Sequence, residues 1–170
     1  SGGDAGRTQE GVPGDRGELN RVTPRGGEVG KAASRCEVSK RRGTELTATF
    51  SKDGRWVPSD GRYWEQGRWG NLPEGETFTA PLSVDGVIAA EEMGDWFTEK
   101  YGLLDPPVLM RVKDGRLISF ETSNPELRAD IEGYMGQAPC SNRVGEFAIG
   151  TKLGLTRLVG NFSPDEKFPG

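Results

Sequence analysis

Polar and apolar residues alternate from Thr44 to Phe50 and β-formers dominate the run, the pattern of a half-buried strand. Lys52-Asp53-Gly54-Arg55 reads as a turn, and Arg55-Trp56-Val57 opens the next strand. Residues 58–75 are rich in Gly, Pro, Asp and aromatics and predict a long irregular loop, the kind that tends to carry function. Glu76–Pro81 is a short strand stopped by proline, and Ser83–Ala90 is strand material interrupted by Asp85-Gly86 as a turn or bulge. The clearest element is Val108–Val112 and Leu117–Glu121 about Lys113-Asp114-Gly115-Arg116, because Asp-Gly between β-rich runs is the strongest short hairpin signal.

Asn124-Pro125-Glu126 predicts a helix start, with Asn as N-cap, Pro in the first turn and an acid beside it. Leu127, Ile131, Tyr134 and Met135 form its apolar face, and it ends near Gly136. Arg143–Gly150 reads as a buried strand carrying one acid, Glu146. Leu155–Val159 is a further short element, and Pro164–Gly170 reads as a loop. Residues 1–35 form a separate low-complexity segment: the first thirty hold nine Gly and nine charged residues, with five scattered aliphatic or alanine residues. Such a stretch buries too little apolar surface to offset its ordering entropy and is expected to be disordered or loosely docked, apart from a short helix around Glu28–Arg35. The fold class expected is α+β, mainly antiparallel strands with one clear helix, over residues 36–170.

Composition narrows the chemistry. The chain has no histidine, which excludes self-contained Ser-His-Asp, Cys-His, HExxH zinc and facial-triad iron sites. Its net charge of −4 argues against a nucleic-acid partner. No apolar run is long enough to span a membrane, and no secretory signal is visible. Cys36 and Cys140 could form one disulfide but do not make a disulfide scaffold, so a reducing, cytoplasmic setting is the default. Neither has a neighbouring histidine to activate it as a nucleophile. The 26 Gly and 11 Pro, about one residue in five, are a high share for a helical protein.

Three features could carry chemistry. Glu76 and Glu146 each sit in an uncharged, β-type neighbourhood, where a carboxylate is paired, protonated or metal-bound, or simply faces solvent at a strand start. Trp56, Tyr63, Trp64 and Trp69, interleaved with Arg55, Arg62 and Arg68, could stack a base or a sugar in a non-catalytic binding module, or pack onto the sheet. Asp165-Glu166-Lys167 reads by composition as a solvated turn.

Four segments in order carry a resemblance: Arg42–Thr47, Gly70–Pro81 (Gly-Asn-Leu-Pro-Glu-Gly-Glu-Thr-Phe-Thr-Ala-Pro), Gly145–Thr151 (Gly-Glu-Phe-Ala-Ile-Gly-Thr) and Asp165–Lys167. Together they resemble the aminopeptidase T and aminopeptidase S family of metallopeptidases, also called leucyl aminopeptidases. The resemblance implies an enzyme in which two divalent metal ions, Zn, Co, Mn or Mg, cleave the N-terminal residue from a peptide substrate, in an intact enzyme that could be a homodimer. Carried over residue by residue, it implies that Glu76 and Glu146 are metal ligands. It also implies histidine ligands beyond the Asp-Glu-Lys block and an α/β domain before the Gly-Thr block. The chain is therefore expected to be a middle fragment of such a catalytic domain, with weak metal affinity and no peptidase activity by itself. The wording of Gly67–Pro73 also fits a related branch, the iron-dependent ring-opening dihydroxypyridine dioxygenases.

Overall fold

The computed structural model describes residues 22–169 apart from Pro24, Gly27, Val29, Glu65, Arg68, Asn71, Leu72 and Pro73. It is α+β with antiparallel sheets, as the strand pattern predicts. Eight strands are β1 (Arg35–Ser39), β2 (Glu45–Thr49), β3 (Val57–Ser59), β4 (Glu76–Thr79), β5 (Ser83–Ala90), β6 (Val108–Lys113), β7 (Arg116–Glu121) and β8 (Phe147–Gly150). Three labelled helices are α1 (Asp95–Tyr101), α2 (Pro125–Met135) and α3 (Phe162–Asp165). A five-stranded sheet has the order β1-β2-β5-β6-β7, and a three-stranded sheet the order β3-β4-β8.

One face of the large sheet carries both cores. Along β5, alternate residues point to the same side. Val84 and Ile88 join Ala48, Phe50, Trp56 and Val112 in a core that the small sheet covers through Phe147 and Ile149. Ala90 joins a second core of Phe97, Val108, Leu127 and Ile131, which α1 and α2 cover. The first core is fastened by edge-to-face rings, with Phe50 5.0 Å from Trp56 and 5.3 Å from Phe147 between centroids. Pairs of this kind add about 0.5–1.5 kcal/mol beyond the area they bury.

Local signals explain the start of α2 and the β6–β7 turn. Asn124 Oδ1 accepts from the Glu126 and Leu127 N–H groups, the side-chain cap that α2 was expected to have. Asp114 and Gly115 both take positive φ, 50° and 70°, and close the β6–β7 hairpin. Ser83–Ala90 is one continuous strand rather than two interrupted at Asp85-Gly86. The Asp-Gly pair is there for a different reason: Gly86 pairs with Leu46, and a Cβ on it would lie 2.2 Å from the Glu45 carbonyl oxygen.

Several elements differ from the expectation. Arg35 begins β1 rather than ending a helix. α1 was not predicted, because its Gly94 N-cap makes no side-chain bond. α3 runs two residues into the stretch expected to be loop, and β8 begins at Phe147, four residues later than Arg143. Of the segment expected to be disordered, residues 1–21 lie outside the described residues. The described residues from Val22 to Ala32 are helical, and Thr23 is buried with its hydroxyl 2.6 Å from that of Thr151.

Two glycine-to-alanine changes should act with opposite sign. Gly86→Ala forces a Cβ into the β2 backbone at φ +135° and is expected to lower stability by at least about 1–3 kcal/mol. Gly133→Ala, inside α2 with open space around it, is expected to raise it by about 0.5–1 kcal/mol. Urea unfolding midpoints of the two variants check both signs.

Candidate functional site

Glu76 opens β4 and is 9% exposed, so its carboxylate has lost most of its water. A carboxylate in that position requires a partner. Lys167 supplies it: the ammonium donates to Glu76 Oε1 at 2.6 Å and also lies 2.7 Å from Glu166 Oε1. Lys167 is 3% exposed as a residue. Burial raises the Glu76 pKa above its ordinary value, the Lys167 bond opposes the rise, and the charges of Glu166 and Glu146 add to it. Burial pulls the Lys167 pKa down, but its bonds to Glu166 and Glu76 outweigh that and leave it raised. The second oxygen of Glu76 takes no hydrogen bond among the described residues.

Asp165-Glu166-Lys167 is therefore not a solvated turn. The Asp165 carboxylate accepts from the backbone N–H groups of Val159, Gly160 and Asn161 at 2.7–3.2 Å. This fixes the loop leading into α3, and Lys167 then points at β4. Gly150 makes the approach possible: a Cβ there would lie 1.9 Å from the Phe168 carbonyl oxygen.

The other predicted ligand, Glu146, is exposed and stands just before β8. Glu76 pairs with Gly150 at one end of the β4–β8 ladder, and Phe147 pairs with Thr79 at the other. The two glutamates thus flank opposite ends of the same pair of strands, although the field of Glu146 reaches Glu76. Among the described residues, no three His, Cys, Asp or Glu side chains converge as a metal centre. The donors present do not by themselves fit a two-metal site.

The aromatic loop splits. Trp56 is core, while Trp64 and Trp69 are exposed; Arg68 lies outside the described residues. Tyr63 donates to Glu74 Oε1 at 2.5 Å and Ser59 to Glu74 Oε2 at 2.7 Å, which holds the buried Glu74 just before β4. Burial and then the Glu74 bond raise the Tyr63 pKa. Cys36 and Cys140 are both free thiols. No helix among the described residues is long and apolar enough to cross a membrane.

Two titratable groups escaped the sequence reading. Glu92 follows β5; its Oε1 is enclosed and unpaired among the described residues. Burial, and then the charge of Asp165 beside it, push its pKa up to about 7. Lys152 is buried with no ion partner among the described residues, and burial lowers its pKa. Neither stands out in sequence, because the contacts that desolvate them come from distant segments.

No protein-family model and no curated protein sequence matches the chain. Solved structures do. Wild-type AmpT from Thermus thermophilus, an aminopeptidase T, superposes with a TM-score of 0.55 at 20% identity, over 79% of this chain and 33% of that one. The 2,5-dihydroxypyridine dioxygenase from Pseudomonas putida KT2440 superposes with a TM-score of 0.67 at 18% identity, over 89% of this chain and 46% of that one. At such identities the likeness is one of fold. The chain spans a third to just under half the length of these structures.

The position of Glu92 predicts a pH dependence. Its folded pKa is raised from 4.5 to about 7, so the stability it contributes is full below 4.5 and is lost as pH rises to about 7. Glu92→Gln keeps the neutral shape at every pH. Urea midpoints of the variant should fall less than those of the unaltered protein between pH 4.5 and 7. Parallel profiles would show that Glu92 does not hold a proton there.

Proposed function

We propose that this chain belongs to a metal-dependent aminopeptidase, a hydrolase that removes N-terminal residues from peptides, and that Glu76 and Glu146 are metal ligands. The observation that carries this reading is the convergence of three separate sequence blocks. Gly70–Pro81 and Gly145–Thr151 meet through β4 and β8, and Asp165–Lys167 closes on Glu76. The fold likeness to AmpT supports it. So does the chemistry, since carboxylate oxygens suit hard divalent cations. Two carboxylates are too few for a metal centre, so the reading requires further donors from outside the described residues.

The dioxygenase reading comes second, favoured by the higher TM-score of 0.67 and the 89% of this chain that superposes. Oxygen uptake on a dihydroxypyridine, measured against release of leucine from leucyl-p-nitroanilide, separates the two.

Glu76→Gln in the whole protein is expected to remove bound divalent metal and lower leucyl-p-nitroanilide hydrolysis by at least about 100-fold, more than loss of an outer-sphere partner costs. The melting temperature should fall as well, because the change removes one side of the buried Lys167 pair, so metal content and activity are compared on protein that circular dichroism shows to be folded. Metal analysis and activity at full retention would contradict the assignment.

A further inference from the structure

We infer that the outer edge of β1 is an interface for a second copy of this chain, the two β1 strands pairing antiparallel about a two-fold axis at Cys36. β1 is the outer strand of the five-stranded sheet. The Lys40 N–H bonds the Thr44 carbonyl at 2.8 Å, and the Phe50 N–H bonds the Ser34 carbonyl at 2.9 Å. These two bonds set the phase of the ladder. Ser34, Cys36, Val38 and Lys40 aim their backbone groups at β2, and Arg35, Glu37 and Ser39 aim theirs outward. Among the described residues no backbone group meets that outward row, and the Glu37 carbonyl has only the Cys36 Sγ at 3.9 Å.

Proteins blunt open edges with proline, bulges or charged side chains. β1 has no proline, and its register with β2 runs unbroken over all five residues. It does carry charge, but Arg35 and Glu37 are of opposite sign and stand two residues apart in the outward row. Like charges set directly opposite each other destabilise a strand pair, and unlike charges stabilise it. A two-fold axis at Arg35 sets Arg35 against the partner's Arg35, and an axis at Glu37 sets Glu37 against the partner's Glu37. An axis at Val38 sets Glu37 against the partner's Ser39. An axis at Cys36 sets each Arg35 against the partner's Glu37, twice by symmetry. Of these four registers it alone opposes unlike charges.

The Arg35 and Glu37 side chains are 60% and 70% exposed and lie 2.6 Å apart within one copy, so in the pair four charges alternate along the seam. Cys36 is a free thiol on the other face of the strand, beside the first core. In this register it stands opposite the partner's Cys36 at a position without direct hydrogen bonds. The Cα atoms of such a pair are about 4.5 Å apart, inside the range that a disulfide bridges. Self-complementary charge and an unmet row of main-chain groups favour a second copy over an unrelated segment. A five-residue edge is small beside the ~1,200–2,000 Å² of a standard interface, so the pairing belongs to high protein concentration. The inference does not rest on metal binding by Glu76.

The test uses the whole chain with Cys140→Ser, which leaves Cys36 as its one thiol. Copper phenanthroline in air passes two electrons from a pair of facing thiols to oxygen and joins them as a disulfide, read on a non-reducing gel. A Cys36-linked dimer is expected. Arg35→Glu and Glu37→Arg each set like charges opposite one another at two places and should lower its yield at least about tenfold. The double variant exchanges the two charges and should restore the yield. Circular dichroism should be unchanged in all three, because both side chains are exposed. Sedimentation of the reduced protein reads the same edge without the thiol. A concentration-dependent dimer is expected there, and Glu37→Pro should abolish it by removing an outward N–H that β2 does not use. A chain monomeric by both measures overturns the proposal. So does a dimer indifferent to charge reversal, or one that the double variant fails to restore, since either places the contact on another surface.

Discussion

The ion pair between Glu76 and Lys167 is the constraint around which the small sheet and the C-terminal residues are arranged. A carboxylate at 9% exposure is costly unless a cation meets it closely, and Lys167 does so at 2.6 Å. The reach has conditions. Residues 167–168 must cross Gly150 where no Cβ fits, and Asp165 must hold Val159–Asn161 by its carboxylate so that α3 starts in the right place. One charge buried on β4 therefore fixes a glycine on β8, a capping acid and the direction of the final residues. Breaking a buried pair from one side costs about 3–5 kcal/mol, whereas most surface pairs are worth about 1 kcal/mol or less. That contrast separates Lys167–Glu76 from exposed pairs such as Arg35–Glu37.

The large sheet has a different role. Its inner face is shared by two covers, the small sheet at one part and α1 with α2 at another. A groove beside β8 is lined by β1, β2 and β5 of this sheet and by Phe162, Asp165 and Glu166. The same residues that seat Lys167 thus shape the groove: Asp165 caps the α3 loop and faces the groove, and Glu166 pairs with Lys167 and also lines it.

Sequence pattern foretold the elements whose cause is local. The Asp114-Gly115 hairpin needs only two residues able to take positive φ, and the α2 start needs only Asn124 and Pro125. Elements whose cause is tertiary were missed. Gly86 reads as a turn signal, yet it is kept free of a side chain by the backbone of β2. α3 and the burial of Asp165–Lys167 follow from contacts with Glu76 and Val159–Asn161 that composition does not register. Glu76 and Glu146 sit in equally uncharged surroundings, yet one is buried and the other exposed, so that signal did not separate them, and the lysine partner of Glu76, 91 residues away, left no mark in the sequence. Trp56 packs as core, one of the two readings its sequence context left open.

The role of Glu76 is tested most directly by anomalous X-ray diffraction from crystals of the whole protein grown with zinc or manganese. A strong anomalous peak is expected about 2.0–2.2 Å from a Glu76 oxygen, the usual distance for a carboxylate ligand of zinc or of a comparably small divalent ion, with a Glu146 oxygen bound to the same or a neighbouring ion. A map with Glu76 still closed on Lys167, and no peak at either glutamate in the presence of saturating metal, would contradict it.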